Sequence, residues 1–433
     1  MSFTPFLTKM VGIKNSRDIK VYQEHGGYAS LKKTFEYKPE ALVELVKASG
    51  LRGRGGAGFS CGMKWSFLPK GHEGPIYMAV NFDESEPGTF KDRYLSDHDP
   101  HSIIEGIITS SYATNVSVAY VFIRGEFYAQ AEYLEAALSQ AYDAGFVGNN
   151  ILGSGYSLEI IVHRGAGAYI CGEETALLEA LEGKRGWPRL KPPFPAIEGA
   201  FGKPTVINNV ETICNVPHII NNGAEWFAAI GTEKSTGSKL YGLSGHINNP
   251  GVYEFPLGIT TRELIEGVGG GVPNGKRVKG AIPGGICMGV LTESELDCPL
   301  DFEGPRENGC LGLGTAGVIV LDEDTCMVNA LRNIVHFLKH ESCGQCTPCR
   351  EGSGWMLKTL DRMLKGNGSP ADVDKLIELA DSMGSMIGKT ICGLADGTAW
   401  AARGFITKFR SEFEDMVKHN SDLKQTSSEV LNV

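Results

Sequence analysis

The stretch Ile76-Tyr77-Met78-Ala79-Val80-Asn81-Phe82-Asp83-Glu84-Ser85-Glu86-Pro87-Gly88 is an apolar run that passes at once into a polar turn. A short apolar run bounded by turn residues reads as a buried strand, here Ile76–Val80. The pattern that follows is helix His101–Ala113, strand Val118–Ile123, helix Ala129–Ala144, strand Leu158–His163 and helix Gly172–Leu181. A βαβαβα order with right-handed crossovers predicts a parallel sheet, with ligands gathered at the carboxyl ends of its strands. The turn after each strand is therefore where chemistry is expected.

In the turn after the first strand, three carboxylates fall within four residues, Asp83, Glu84 and Glu86. They repel one another and would not cradle a phosphate. They suit sugar or ribityl hydroxyls, or a cationic nicotinamide, and a solvated acidic loop is the plainer alternative. After the third strand, Arg164-Gly165-Ala166-Gly167-Ala168-Tyr169-Ile170-Cys171-Gly172-Glu173-Glu174-Thr175 runs into a helix start. That is a plausible nucleotide site, and the two glutamates are equally good helix-start residues. Upstream, Gly53-Arg54-Gly55-Gly56-Ala57-Gly58 is formally a Gly-x-Gly-x-x-Gly, yet Pro39–Ala48 before it reads as a helix, so the dinucleotide fingerprint fails its own context. Either the glycines let backbone N–H groups and a flat ring approach, with Arg54 and Lys64 supplying positive charge, or they form a structural turn. Lys191-Pro192-Pro193-Phe194 offers a rigid basic-aromatic edge, and Asn208-Asn209 is either a turn or a pair of amides for hydroxyl contacts.

Farther on the periodicity changes. Lys239–Ser244, the turn 248–251, Val252–Phe255, a helix Thr261–Glu266 and strands near Val278–Ile282 and Val318–Leu321 indicate a ubiquitin-like β-grasp module in which nothing looks catalytic. From Met327 the apolar spacing is helical: Val328, Leu331, Ile334, Val335 and Leu338 mark one face, and three more follow, the last through Phe405, Phe409, Phe413 and Met416. Four amphipathic helices predict a bundle, with a frayed polar tail from Ser421. The expected division is 1–237, 238–325 and 326–433. At the first helix junction stands Cys343-Gly-Gln-Cys346-Thr-Pro-Cys349, with Cys392 following 43 residues after the run. Three cysteines in one tight loop and one remote thiol suit an iron–sulfur cubane; a structural zinc, which more often takes two Cys-x-x-Cys pairs, is the alternative. The other seven cysteines show no ligand spacing, and the odd total of 11 argues against a disulfide framework.

The net charge of −10 leaves no electrostatic footprint for nucleic acid. No apolar run reaches the roughly 20 residues that cross a bilayer, and the first residues lack a secretory or transit pattern, so the chain is expected to stay where it is made.

The Gly-Arg-Gly-Gly-Ala-Gly-Phe loop with Lys64-Trp65, Asp-Glu-Ser-Glu-Pro-Gly-Thr, Gly-Ala-Tyr-Ile-Cys-Gly-Glu-Glu-Thr, Lys-Pro-Pro-Phe-Pro, Asn-Asn-Val-Glu-Thr and Glu-Ser-Cys-Gly-Gln-Cys-Thr-Pro-Cys-Arg together resemble the NADH-oxidising flavoprotein of respiratory complex I, which is the F component of NADH–quinone oxidoreductase, from about residue 25 to 420. The resemblance implies a Rossmann-like FMN domain, an SLBB-type β-grasp domain and a helical bundle holding one [4Fe–4S] cluster on Cys343, Cys346, Cys349 and Cys392. It implies Gly53, Arg54, Gly55, Gly56, Lys64, Asn81, Asp83, Glu84, Gly172, Glu173, Asn208 and Asn209 around FMN. Phe59, Lys64, Phe67, Glu86, Tyr169, Glu174, Lys191 and Phe194 would surround NADH, with Glu86 orienting the nicotinamide against the flavin. Hydride transfer to FMN, followed by single-electron steps through the cluster, is the implied chemistry. A [2Fe–2S] thioredoxin-like subunit and a larger iron–sulfur subunit are the implied partners, on the inner, cytoplasmic face of a membrane that the chain does not enter, with quinone reached only through the complex.

Two positions depart from the family pattern. Cys61 would place a thiol beside a redox site, and Phe82 would add bulk near the isoalloxazine. Glu174, with no neighbouring cation evident in sequence, is expected to repel the 2′-phosphate of NADPH. Two other readings compete: the same engine serving an NAD-linked hydrogenase or formate dehydrogenase, and a flavin-free iron–sulfur relay or scaffold, which would leave the glycine loop and acidic turn unexplained.

Overall fold

A computed structural model describes residues 3–384 and 388–418. Its first sheet has four parallel strands in the order β3-β2-β1-β4: Tyr77–Phe82 (β1), Val118–Ile123 (β2), Glu159–Arg164 (β3) and Thr205–Asn209 (β4). The helices between them are Pro100–Ala113 and Tyr128–Asp143, within a residue or so of their expected limits. Two expectations shift. The helix assigned to Gly172–Leu181 begins at Glu174, because Tyr169–Gly172 forms a tight turn and the Glu173 side chain caps the helix by accepting from the N–H groups of Thr175 and Ala176. Asn208 and Asn209, for which a turn is one of two readings, end strand β4 beside β1. Helix Pro39–Ala48 precedes the glycine loop as expected, so no strand enters it.

A second, mixed sheet has the order β6-β5-β9-β7-β8, with Ser238–Gly245 (β5) antiparallel to Gly251–Pro256 (β6) and parallel to Gly317–Asp322 (β9). Val278–Ile282 (β7) runs antiparallel to β9 and to the short Leu291–Thr292 (β8). The helix expected over Thr261–Glu266 is one α-turn, Thr261–Glu263, that widens into a π-turn over Leu264–Val268. The C-terminal part holds helices Met327–Glu341, Thr347–Leu364, Ala371–Met383 and Leu394–Lys408 around Leu331, Val335, Met356, Leu360, Leu376 and Phe405, all buried. The fourth helix starts earlier than its apolar spacing indicated, directly behind Cys392, and is interrupted at Phe409. The tail from Ser421 lies outside the described residues. Among the described residues no helix is long and apolar enough to cross a membrane.

The seam between the two sheets is charged and dry. Glu211, fully buried behind β4, pairs with Lys239 of β5 at 2.5 Å and Lys91 at 2.9 Å, and accepts from the N–H of Leu240 at 2.9 Å. Burial opposes its ionisation, but the two ammonium groups outweigh that and hold its carboxyl below the usual range. Removing one partner of such a buried set leaves charge uncompensated. Glu211→Gln is therefore expected to destabilise the chain by about 3–5 kcal/mol, measured by denaturant unfolding; a change below about 1 kcal/mol, no more than a typical surface pair is worth, would contradict the seam's role.

Candidate functional site

The carboxyl ends of the parallel strands open into a cavity with about 1050 Å³ of empty space including its mouth. Gly55, Gly56, Asn81, Asp83, Glu84, Glu86, Tyr169, Gly172, Glu173 and Asn209 line it, as expected of residues in the turns after parallel strands. The glycine loop reaches the wall as a lasso. Its base is tied by the Arg52–Ser60 bridge and by Gly53 N–H donating to Phe59 O at 2.8 Å. Gly55 lies so close to β4 that an added Cβ would sit 2.9 Å from Asn209 Cβ, and Gly56, at φ +136°, leaves open space where a side chain would stand.

The three carboxylates avoid mutual repulsion by taking different partners. Asp83 accepts from Ser85 Oγ at 2.7 Å through one oxygen, while its other oxygen is buried with no partner. Burial pushes its pKa up to about 6. Glu84 does not reach out for a ligand: it accepts the N–H groups of Lys91, Asp92 and Arg93 at 2.8, 2.8 and 3.1 Å, starting the helix Lys91–His98. Glu86 accepts from Tyr169 Oη at 2.6 Å and from the N–H of Cys287 at 3.0 Å, and burial raises its pKa against those donors.

Other expected residues lie elsewhere. Arg54 is fully buried at the seam, its guanidinium donating to the carbonyls of Thr236 and Arg52 and burial lowering its pKa to about 10, so its charge does not line the cavity. Asn208 points behind the sheet, accepting from Trp65 Nε1 at 2.9 Å and facing the Cys61 thiol at 3.6 Å. Cys61 is thus a buried core thiol, pushed up to about 12 by burial, and stands off the cavity wall. Phe82 turns into the core against Phe127 and adds no bulk to the cavity. Phe59 and Phe67 are each 51% exposed with rings 6.0 Å apart, and Phe194 is exposed on the Lys191 segment. The expectation that Glu174 stands without a cation fails: Lys64 reaches it at 3.0 Å and Lys191 at 2.9 Å, and Lys191 also reaches Glu173 at 3.3 Å. Burial would raise the Glu174 pKa, but the two lysines pull it down to about 2.

The second sheet also supplies the site, against the expectation that it carries no chemistry. Gly284, Cys287, Met288, Gly314 and Thr315 form the cavity's far side. The turn Pro283-Gly284-Gly285 directly after strand β7 was the available signal, since paired glycines at a strand end mark close backbone approach. Lys91 and Asp92 were missed as well; Lys91 Nζ donates to Asn209 Oδ1 at 3.2 Å and ties the acidic turn to β4.

Cys392, Gly393 and Leu394 close the remaining wall. Cys343, Cys346, Cys349 and Cys392 all pack on one apolar cluster with Ile170, Cys171, Leu177 and Leu394. Cys346 caps the helix Thr347–Leu364, and Cys349 lies in its first turn. Burial pushes the Cys349 and Cys392 thiols up to about 11 and about 12, so ligation there displaces protons. Four thiols from two segments, packed on one apolar cluster, are a donor set whose chemistry suits an iron–sulfur cluster. The unpartnered Asp83 oxygen and the Cβ-free Gly55-Gly56 edge fit a flat, hydroxyl-bearing cofactor.

Residues 46–218 match the Nuo51 FMN-binding domain family, residues 240–291 the SLBB domain and residues 329–416 the iron-sulfur binding region of NADH-ubiquinone oxidoreductase-F. The second of the NADH-quinone oxidoreductase F subunits of Rhizobium meliloti (strain 1021) is 50% identical over 412 residues, covering 95% of this chain and 97% of the relative. The chain belongs to the family of NADH-quinone oxidoreductase F subunits. The member from Mycobacterium tuberculosis (strain ATCC 25618 / H37Rv) is 51% identical over 417 residues, covering 95% of this chain and 93% of the relative. Among solved structures, an NAD+-reducing [NiFe]-hydrogenase in the air-oxidized state superposes with TM-score 0.82 at 33% identity, covering 96% of this chain and 67% of that one. The family thus brings an FMN-binding domain and a [4Fe–4S] region to this chain, on the two sides of the one cavity.

Cys392→Ala is expected to cut iron and acid-labile sulfide to less than half of the wild-type content per chain while flavin content persists; unchanged iron would contradict the ligand assignment.

Proposed function

We propose that this chain oxidises NADH at the cavity and passes the electrons onward singly through the cysteine-bound centre. The observation that carries the reading is that Cys392 stands in the wall of the same cavity as Gly55, Gly56 and Glu86. FMN, when bound, supplies hydride acceptance, and the cluster supplies one-electron transfer. The residues then divide the work. Gly55, Gly56, Asn81, Asp83, Gly172 and Asn209 hold the flavin, the free Asp83 oxygen accepting from a hydroxyl. Glu84 and Glu173 act one step back, each fixing a helix start that borders the cavity. Glu86 orients the nicotinamide. Phe59, Phe67 and Phe194 offer exposed rings to the nucleotide at the mouth, beside the Lys64–Glu174–Lys191 cluster.

The reading extends to the division 1–237, 238–325 and 326–433 as FMN/NADH-binding, β-grasp and cluster-bearing parts. It also extends to a place on the inner face of a membrane within a multi-subunit NADH–quinone oxidoreductase, beside a thioredoxin-like [2Fe–2S] subunit and a larger iron–sulfur subunit. The fold shared with an NAD+-reducing hydrogenase supports a second assignment, the same NADH-oxidising unit in a hydrogenase-type assembly. Copurification with a quinone-reducing or a hydrogenase partner separates the two.

Anaerobic NADH is expected to bleach the flavin bands of the purified protein; a spectrum that NADH leaves unchanged would contradict the reading. Glu86→Gln removes the negative charge from hydrogen bonds worth about 1.5–3 kcal/mol, so kcat/KM for NADH is expected to fall about ten- to a hundredfold. Because Glu174 occupies two lysines, its effect on NADPH runs through them: Glu174→Gln frees Lys64 and leaves Lys191 with Glu173 alone, which opens both to a 2′-phosphate. The ratio of NADPH to NADH oxidation is expected to rise by about tenfold or more, and an unchanged ratio would contradict this.

A further inference from the structure

Three separate parts of the chain meet at the Glu86 carboxylate. Glu86 comes from the turn after β1, Tyr169 from the turn after β3, and Cys287 from the second sheet's domain, on the single turn Ile286–Met288. One carboxylate oxygen accepts the Cys287 N–H at 3.0 Å. The other accepts Tyr169 Oη at 2.6 Å and lies 3.6 Å from the Cys287 thiol, which is itself 3.3 Å from Tyr169 Oη. The approach depends on glycine on both flanks. A Cβ at Gly285, whose φ is +92°, would fall 2.5 Å from Glu86 Cγ. A Cβ at Gly397, on the helix that begins behind Cys392, would fall 2.9 Å from Cys287 Cβ and Sγ.

We propose that Cys287 is a positioning residue of the nicotinamide site: through its N–H and its thiol it fixes the Glu86 carboxylate, and by its seat on Gly397 it registers that carboxylate against the cluster-bearing helix. The inference rests on the reading of the cavity as the site of NADH oxidation.

The chemistry of the thiol suits this role. Burial, and then the Glu86 charge, push its pKa well above the ordinary value, so it stays protonated as a donor and is a poor nucleophile. An S–H is a weak donor, yet a buried carboxylate with an unfilled lone pair is costly, so even a weak bond holds its direction. Tyr169 and Cys287 are the two titratable groups that hydrogen-bond to Glu86 among the described residues. A bond made to the carboxylate form favours ionisation, so losing the thiol raises the pKa of Glu86 further and moves the onset of its charged form to higher pH.

The test compares wild type, Cys287→Ala and Cys287→Ser, each with flavin and iron content measured. The readout is the pH dependence of binding of a tetrahydro-nicotinamide dinucleotide, which cannot deliver hydride, followed by perturbation of the flavin spectrum; kcat and KM for NADH with ferricyanide are recorded alongside. Cys287→Ala is expected to weaken analogue binding about three- to tenfold at neutral pH and to shift the acidic limb upward in pH. Cys287→Ser, which keeps an O–H donor, is expected to restore both to within about twofold. Wild-type binding and pH profile in Cys287→Ala would overturn the proposal. So would a defect that serine leaves uncorrected, or one accompanied by loss of flavin or iron, since the role would then be packing alone. Wild-type protein whose flavin NADH does not reduce contradicts the functional reading itself, and that result is separate from any difference among the variants.

Discussion

Leu394 and Ala395, the first residues of the helix behind Cys392, are buried against Ile170, Cys171 and Leu177 at the carboxyl ends of the parallel strands. This apolar contact is what the rest depends on. It brings a bundle whose core runs on into the second sheet's domain, through Ile282, Ile286 and Val290, into the wall of a cavity built by the first sheet. The Cys392 thiol and the glycine edge of Gly55 and Gly56 then share one boundary. The contact is non-directional and tolerates small shifts, so the finer register is set by closer fits such as Gly397 against Cys287 and Gly384 against Ala395.

Electrostatics completes the arrangement. An acidic turn beside a site for an anionic nucleotide is unfavourable unless its charges are discharged, and each is discharged differently. Glu84 is absorbed by the exposed N–H groups of a helix start, where negative charge is favoured. Glu86 is held by Tyr169 and Cys287, and Asp83 retains one free oxygen for an incoming donor. Behind them Lys91 bridges Asp92, Asn209 and Glu211, so the turn is braced by the same buried charges that join the two sheets. Next in sequence to Glu173 of the cavity wall, Glu174 is shared by Lys64 and Lys191.

Much of this was legible in the sequence, and the limits have physical causes. Three of the four parallel strands, the helix before the glycine loop and the placing of Cys392 ahead of the last bundle helix follow from local periodicity and spacing, whereas Thr205–Asn209 is not read as a strand from them. Side-chain direction does not. Asn208 and Asn209 are adjacent on a strand, so one faces the cavity and its neighbour the core. Arg54 sits among loop glycines yet turns into the seam, because the carbonyls of Arg52 and Thr236 receive it there. Position in a motif puts Phe82 and Cys61 near the flavin, but both belong to the core on the other side of the backbone. The lysine partners of Glu174 come from 110 and 17 residues away, and Cys287 meets Glu86 across 201 residues. Contacts of that kind are products of tertiary folding and leave no local signature.

The central claim is that one cavity places a flavin directly against a segment ligating an iron–sulfur cluster. Crystals of the flavin-loaded, anaerobically purified chain, with an anomalous difference map at the iron edge, test it most directly. The account predicts a multi-iron peak enclosed by Cys343, Cys346, Cys349 and Cys392, and flavin density along Gly55 and Gly56 on the other side of the Cys392 segment. A single-metal peak among those thiols, or flavin density outside this cavity, would contradict it.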